Sequence, residues 1–216
     1  GVLQRQRKCQ GQHTGQSHYA ADINTQPLES AMFNARRFAV DNSMSFHLSD
    51  GVQNIPREFD TLVCAGMGAD TMISIIESAP WLKQEKYRLI LQCQSKRPEL
   101  RAYLYQNGFA ILKETLAKDG KFLYPVMEVQ YHPSAPLTPG EYYISPALLS
   151  SGSPLLREFY ERVIDGLKTT VAGLSHAGGE RLTYFTQVLN ELLKMEERIY
   201  GNRCLSFILY PKNCAG

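Results

Sequence analysis

Between residues 19 and 132, short apolar runs alternate with stretches whose apolar positions recur every three or four residues. Tyr19-Ala20-Ala21-Asp22-Ile23 reads as a strand closing on an acid. Leu28, Ala31, Met32, Ala35 and Phe38 follow at helical spacing. Ser45–Leu48 is a short strand ending in the polar turn Ser49-Asp50-Gly51. Thr61-Leu62-Val63-Cys64-Ala65 is an apolar strand that runs into Gly66-Met67-Gly68, and Met72, Ile75, Ile76 and Ala79 make the next helical face. Arg88–Gln92 is a further strand, and Pro98–Asn107 a helix with Gly108 as its stop signal. Phe109–Ala117 and Phe122–Tyr131 read as two strands joined at Lys118-Asp119-Gly120. Strand and helix in alternation, closed by a hairpin, predict a mostly parallel sheet with one antiparallel edge and helices on both faces.

The flanks differ in kind. Residues 1–18 hold five Gln, three Gly and three basic residues with no period of 2 or 3.6, so little regular structure is expected there. Residues 133–140 carry three prolines and a glycine, and form a linker. In 141–202 two long helices are predicted. Leu156, Phe159, Val163, Leu167, Val171 and Leu174 stripe the first. Leu182, Phe185, Leu189, Leu192, Glu196 and Ile199 alternate spacings of 3 and 4 in the second, a heptad seam. Ala177-Gly178-Gly179 joins them, which makes an antiparallel helical hairpin. Residues 203–216 read as an unrelated tail.

Length and charge narrow this only slightly. At about 150 residues per domain, 216 residues make one domain and an appendage. The net charge of +2 excludes neither nucleic acid nor small substrates. No run reaches the roughly 18 apolar residues of a membrane span, so no membrane partner is expected. Five cysteines at no metal-knuckle spacing read as thiols of a reducing compartment, with Cys64 and Cys93 buried, and no metal is expected.

Three features fall at strand ends, where open α/β sheets bind ligands. Asp22 is placed to accept from two ribose hydroxyls, and Asp50 from an exocyclic adenine amine. Gly66 and Gly68 allow backbone to approach a flat ligand closely. Each alone also fits a cap or a turn; in sequence order they indicate a site for a nucleoside-bearing cofactor.

The stretches Ala21–Ala31, Ser49–Gly51, Asp60–Gly68 and Leu89–Gln92 resemble the bacterial tRNA (adenine-22-N1) methyltransferase family over residues 19–200. The run D-T-x-V-x-A-G-M-G is its most specific part, and Asp119-Gly120-Lys121-Phe122 echoes the family's hairpin. The resemblance implies a Rossmann-like class I methyltransferase domain over 19–132, a helical coiled-coil arm over 141–202, and S-adenosylmethionine as cofactor. By the same resemblance Asp22 and Ile23 lie at the cofactor ribose, Asp50 and Gly51 at its adenine, and Ala65, Gly66, Met67 and Gly68 along the methyl-transfer pocket. Gln92 matches a strand-end glutamine and Tyr124 a hairpin tyrosine, a platform for an unstacked base. Cys93 and Gln94 stand where the family has Pro-Asn. The family's opening strand and D-I-G turn have no counterpart in residues 1–18, which read as an altered start, a frameshift or a truncation.

Methylation at adenine N1 leaves a cation that a carboxylate stabilises, and Asp70 is the nearby acid. An acid at that helix start equally serves the helix dipole. Residues 83–121 hold nine basic and four acidic residues, which makes Lys96, Arg97, Arg101 and Lys121 candidate RNA contacts. The arm, with six basic and seven acidic residues over 153–201, would act by shape. The expected protein is therefore a cytoplasmic, monomeric tRNA methyltransferase. The rival is a protein of the same fold that binds RNA without cofactor turnover. A nucleotide-dependent oxidoreductase lacks its G-x-G-x-x-G.

Overall fold

The computed structural model describes residues 2–5, 18–176 and 178–200. The expectations for 6–17 and 203–216, and for Cys9, Cys204 and Cys214, lie outside them. The chain divides into two compact units, Gly1–Leu137 and Thr138–Gly216, and the division falls inside the proline-rich 133–140.

The first unit is built on a seven-stranded sheet. Its strands are β1 (Val2–Arg5), β2 (His18–Asp22), β3 (Met44–Leu48), β4 (Thr61–Met67), β5 (Arg88–Cys93), β6 (Phe109–Asp119) and β7 (Phe122–Tyr131), in the order β3-β2-β1-β4-β5-β7-β6. Helices α1 (Thr25–Arg37), α2 (Ala69–Glu77) and α3 (Arg97–Gln106) follow β2, β4 and β5. Every predicted strand and helix of 19–132 is present, most within two residues of its expected ends.

The N-terminal expectation is corrected. Val2–Arg5 is a strand, seated in the middle of the sheet between β2 and β4. It runs antiparallel to both: Val2 lies opposite Ala21 and Cys64, and Arg5 opposite His18 and Thr61. Four residues are too few to show a period, so local pattern gave no signal. What holds the strand is long-range: β2 and β4 each present a row of backbone N–H and C=O groups that must find partners. The predicted parallel sheet is corrected with it. Only β2–β3 and β4–β5 pair in parallel, while the β1 pairs, β5–β7 and β6–β7 are antiparallel.

Strand alternation divides the sheet into two faces. Leu62, Cys64, Leu89, Leu91, Met127 and Val129 are essentially solvent-free on one of them. Met72, Ile76, Leu100 and Leu104 of α2 and α3 are equally buried. Each such side chain stabilises the fold by about 1.5–3 kcal/mol relative to exposure. Cys64 and Cys93 are buried and unpaired with each other, as the apolar runs around them predict. Burial pushes the Cys64 thiol up to about 12 and raises that of Cys93 as well, so neither is a thiolate nucleophile at neutral pH.

In the second unit, α4 (Pro146–Leu149) precedes α5 (Leu156–Leu174), α6 (Glu180–Lys194) and α7 (Glu196–Tyr200). Tyr160 Oη, early in α5, donates to the Leu192 carbonyl late in α6 at 3.1 Å, so the pair is antiparallel as expected. The seam is broader than the predicted stripe. Tyr160, Ile164 and Val188 are buried, whereas Val163 and Leu189 are only partly so. The second predicted helix also breaks at Met195, before α7. Helix α4, with Leu148 fully buried in it and Ile144 and the N-cap Ser145 fully buried just before it, was not predicted. Among the described residues no helix is long and apolar enough to cross a membrane.

Candidate functional site

Register places the expected site residues in a row. Ala21 and Cys64 both face Val2, so their successors Asp22 and Ala65 share the opposite face. Asp22 lies beside Leu48, Ala65 beside Gln92, and Gln92 beside Val126. Tyr124, two residues before Val126, keeps that face. Asp22, Ala65, Gln92 and Tyr124 therefore line one face of the sheet at one edge, the carboxyl ends of β2, β4 and β5.

Each end is locally fixed. Asp22 is half-buried, and its Oδ1 accepts the Asn24 amide at 2.9 Å, which orients the carboxylate ahead of α1. The Asp22 carbonyl accepts the Ser49 amide at 3.0 Å, so β2 and β3 finish together. Buried Ser49 accepts the Asn54 amide on its Oγ at 3.1 Å and shapes the turn that exposes Asp50. Gly51 is left-handed at φ 58°, and a Cβ there would lie 2.9 Å from Ile75 Cγ1. That close approach requires glycine at the turn. Ile23 is strongly exposed beside Asp22.

The loops after β4 and β5 are laced together. Gly66 N–H donates to Gln92 Oε1 at 2.8 Å, Gln94 N–H to the Met67 carbonyl at 2.9 Å, and Ala69 N–H to the Ser95 carbonyl at 3.2 Å. Strand β4 runs on through Met67 with a register shift between Ala65 and Met67, so the expected Gly66-Met67-Gly68 loop is partly strand. Gly66 sits at φ 78°, and a methyl added there would meet nothing closer than Gln94 Nε2 at 3.9 Å. Gly66→Ala is expected to cost about 1–2 kcal/mol from backbone conformation alone, since there is space for the methyl. Thermal unfolding should show a midpoint lower by roughly 2–8 °C; an unchanged midpoint would contradict a left-handed Gly66.

Gln92 is the most informative member of the row. The Gly66 amide fixes its Oε1 as acceptor, and its Nε2 is buried with no partner among the described residues. A buried unpaired donor costs about 1–3 kcal/mol. Ser95 was not anticipated: its Oγ lies 2.9 Å from where a Gly68 Cβ would stand, so serine and glycine pack as a pair. A small polar residue shortly after a strand-end glutamine was the only sequence signal for it.

Asp70 and the basic residues stand differently. The Asp70 carboxylate lies at 2.7 Å from Lys96 Nζ, and its side chain is 76% exposed. The hydrogen bond and the charge of Asp70 push the Lys96 ammonium pKa upward. Lys96 caps α3 in a left-handed conformation at φ 54°. Arg97 is half-buried, its Nη1 3.5 Å from the Leu123 carbonyl, and burial lowers its pKa with Arg101 adding to the effect. Arg101 is a correction: it is 1% exposed, and its Nη2 donates to Glu114 Oε1 on β6, itself 0% exposed. It faces inward on α3, so it is no RNA contact. Lys121 is exposed, with its ammonium 5.4 Å from the centre of the Phe122 ring. Arg88 and Lys113 both face Glu128, at 3.1 and 3.9 Å. The basic segment is thus more neutral than its composition suggests. Tyr124 is partly exposed, its ring 6.2 Å from that of Phe122 and tilted by 35°. No cluster of metal ligands occurs among the described residues.

The edge thus holds an oriented carboxylate at Asp22, a glycine turn beside the exposed Asp50, and open backbone at Gly66. Comparison with known proteins gives the family and the fold. Residues 8–197 match the family described as tRNA (adenine(22)-N(1))-methyltransferase. The tRNA (adenine(22)-N(1))-methyltransferase of Bacillus subtilis is 30% identical over 111 residues, 50% of this chain and 47% of that protein. The chain spans about half the length of the curated relatives it matches. A Streptococcus agalactiae protein described as belonging to the NADB-Rossmann superfamily superposes with a TM-score of 0.71 at 20% identity, over 82% of this chain and 78% of that one. The M. capricolum TrmK structure, in complex with S-adenosyl-homocysteine, superposes with a TM-score of 0.58 at 20% identity, over 84% and 80%. These likenesses establish the Rossmann-like fold.

Proposed function

The chain belongs to the tRNA (adenine(22)-N(1))-methyltransferase family, and on that premise we propose that it methylates adenine N1 in tRNA with S-adenosylmethionine. The row of Asp22, Ala65, Gln92 and Tyr124 on one face of one sheet edge carries the reading. Asp22 accepts from the ribose hydroxyls, with Ile23 packed beside them. Asp50 and Gly51 meet the adenine. Ala65 to Gly68 supply close backbone along the reacting end.

Bound there, the sulfonium supplies an activated methyl group, and the protein's own part is orientation and exclusion of water. Gln92 donates its unpaired Nε2–H to an acceptor of the target base other than N1, which leaves N1 free to react. Tyr124, beside Phe122, stacks the extruded base. Lys96, Arg97 and Lys121 ring that edge and meet phosphates. Asp70, bonded to Lys96 and largely exposed, orients that lysine and is the nearby acid for the cation that methylation leaves on the base. The enzyme works as a cytoplasmic monomer on tRNA.

The test is transfer of labelled methyl to unmodified tRNA, with 1-methyladenosine identified after digestion. Incorporation that disappears when adenine 22 is replaced by guanine is the expected result. Gln92→Leu is expected to lower kcat/KM by roughly 10- to 100-fold, the worth of a hydrogen bond to a buried unpaired group. Incorporation into tRNA lacking the target adenine would overturn the assignment. A second reading, RNA binding without turnover, is favoured by one observation, the reversed β1. It predicts tRNA binding with no labelled product.

A further inference from the structure

We infer that Phe122 stacks the base of the nucleotide next to the target adenine, so that the β6–β7 hairpin holds two successive unpaired bases of the RNA. This rests on the function proposed above and deepens it to the strand beside the target. Pairing between β5 and β7 ends at Gln92 opposite Val126, whereas β6 and β7 stay paired as far as Asp119 opposite Phe122. Residues 122–125, which open β7, therefore overhang β5 at the edge that carries Asp22, Ala65 and Gln92. Arg97 Nη1 reaches the Leu123 carbonyl at 3.5 Å and ties this overhang to the start of α3.

Alternation sorts the overhang into two sets. Leu123 and Pro125 are buried and continue the inward face of Met127 and Val129. Tyr124 and Phe122 belong to the other set, two and four residues along the strand from Val126, on the face of Gln92. Phe122 is 54% exposed, so the core gains little from an aromatic there. Its ring lies 6.2 Å from that of Tyr124, and their i, i+2 spacing sets the two side by side along the hairpin. Directly across from them β6 offers the short side chains of Asp119 and Ala117. The charge at the tip is mainly basic: Lys118 and Lys121 against Asp119, with the Lys121 ammonium 5.4 Å from the Phe122 ring centre. Neighbouring aromatic rings beside cations hold successive bases of an unpaired strand, the rings by stacking and the cations through the phosphates. With the target base on Tyr124, the next ring toward the tip is Phe122, and the neighbouring nucleotide is what it meets.

Steady-state methyl transfer by the full chain to unmodified tRNA tests this. Phe122→Ala is expected to raise KM for tRNA roughly 5- to 150-fold, the worth of one stacked base, with kcat changed by less than about twofold. Phe122→Tyr should restore KM and Phe122→Leu should not, since a flat ring is what stacks. Because Phe122 is exposed, the thermal midpoints of all three variants should match the parent within about 2 °C. A tRNA with an abasic nucleotide on one side or the other of the target adenine supplies the complementary cut. On one of the two sides it should raise KM for the parent by a similar factor and leave Phe122→Ala nearly unaffected. An unchanged KM in Phe122→Ala, full rescue by leucine, or equal abasic losses in both proteins at both positions would overturn the inference and leave the methylation reading intact. No 1-methyladenosine from the parent protein would overturn that reading, and this inference with it.

Discussion

Replacing Arg101 by alanine is expected to lower the unfolding free energy by about 3–5 kcal/mol, one of the largest single-residue effects in the sheet unit. The guanidinium is buried on α3 against an equally buried Glu114 on β6. Removing one partner leaves the other charge in a medium that cannot solvate it. At roughly 2–4 °C per kcal/mol for a chain of this size, the thermal midpoint should fall by about 6–20 °C. Arg101→Met combined with Glu114→Leu removes both charges and fills the space. It should recover most of the loss, because a buried ion pair and a packed apolar pair are often of similar stability. The double variant also separates structure from RNA contact. Its affinity for tRNA and the salt dependence of that affinity should match the parent protein. A salt slope smaller by about 1 would mean that Arg101 meets a phosphate after all.

Arg101 shows where sequence reading stopped. Its charge was visible; its direction was not. Leu100 and Leu104 mark the inward face of α3, and Arg101 falls beside them on a helical turn, but a cation there is intelligible only once Glu114 is known to lie opposite. The partner is on another element, and period carries no information about it. The same holds for Asp70, whose carboxylate is answered by Lys96 across 26 residues. It holds again for Val2–Arg5, whose place depends on two strands far apart in the chain.

What was legible was what local physics determines. Strand ends at Asp22, at Ser49-Asp50-Gly51 and at Gly66 followed from apolar runs closing on polar or glycine residues. The order of those ends along one edge followed from strand–helix alternation. The Gln92 assignment came from resemblance alone, and structure added its chemistry: the Gly66 amide fixes which end of the side chain accepts and leaves a buried donor. The direction of the central strand was beyond reach, because a parallel and an antiparallel four-residue insert have the same sequence signature.

Asp22→Ala is expected to weaken S-adenosylhomocysteine binding by roughly 100-fold or more, the loss of two charge-assisted hydrogen bonds of about 1.5–3 kcal/mol each. The carboxylate also accepts the Asn24 amide, so the variant should lose about 1 kcal/mol of stability as well. The two effects are separable: calorimetry at a temperature well below the unfolding midpoint reports affinity alone. Asp22→Asn keeps an acceptor oxygen for Asn24 and for one hydroxyl, but without charge. It should bind roughly tenfold more weakly than the parent, between the two extremes. A 2′-deoxy ligand supplies the complementary cut. It should weaken binding to the parent protein and leave Asp22→Ala nearly unaffected, since the hydroxyl and its acceptor belong to one interaction. Equal losses in both proteins would place the ribose contact elsewhere on the edge.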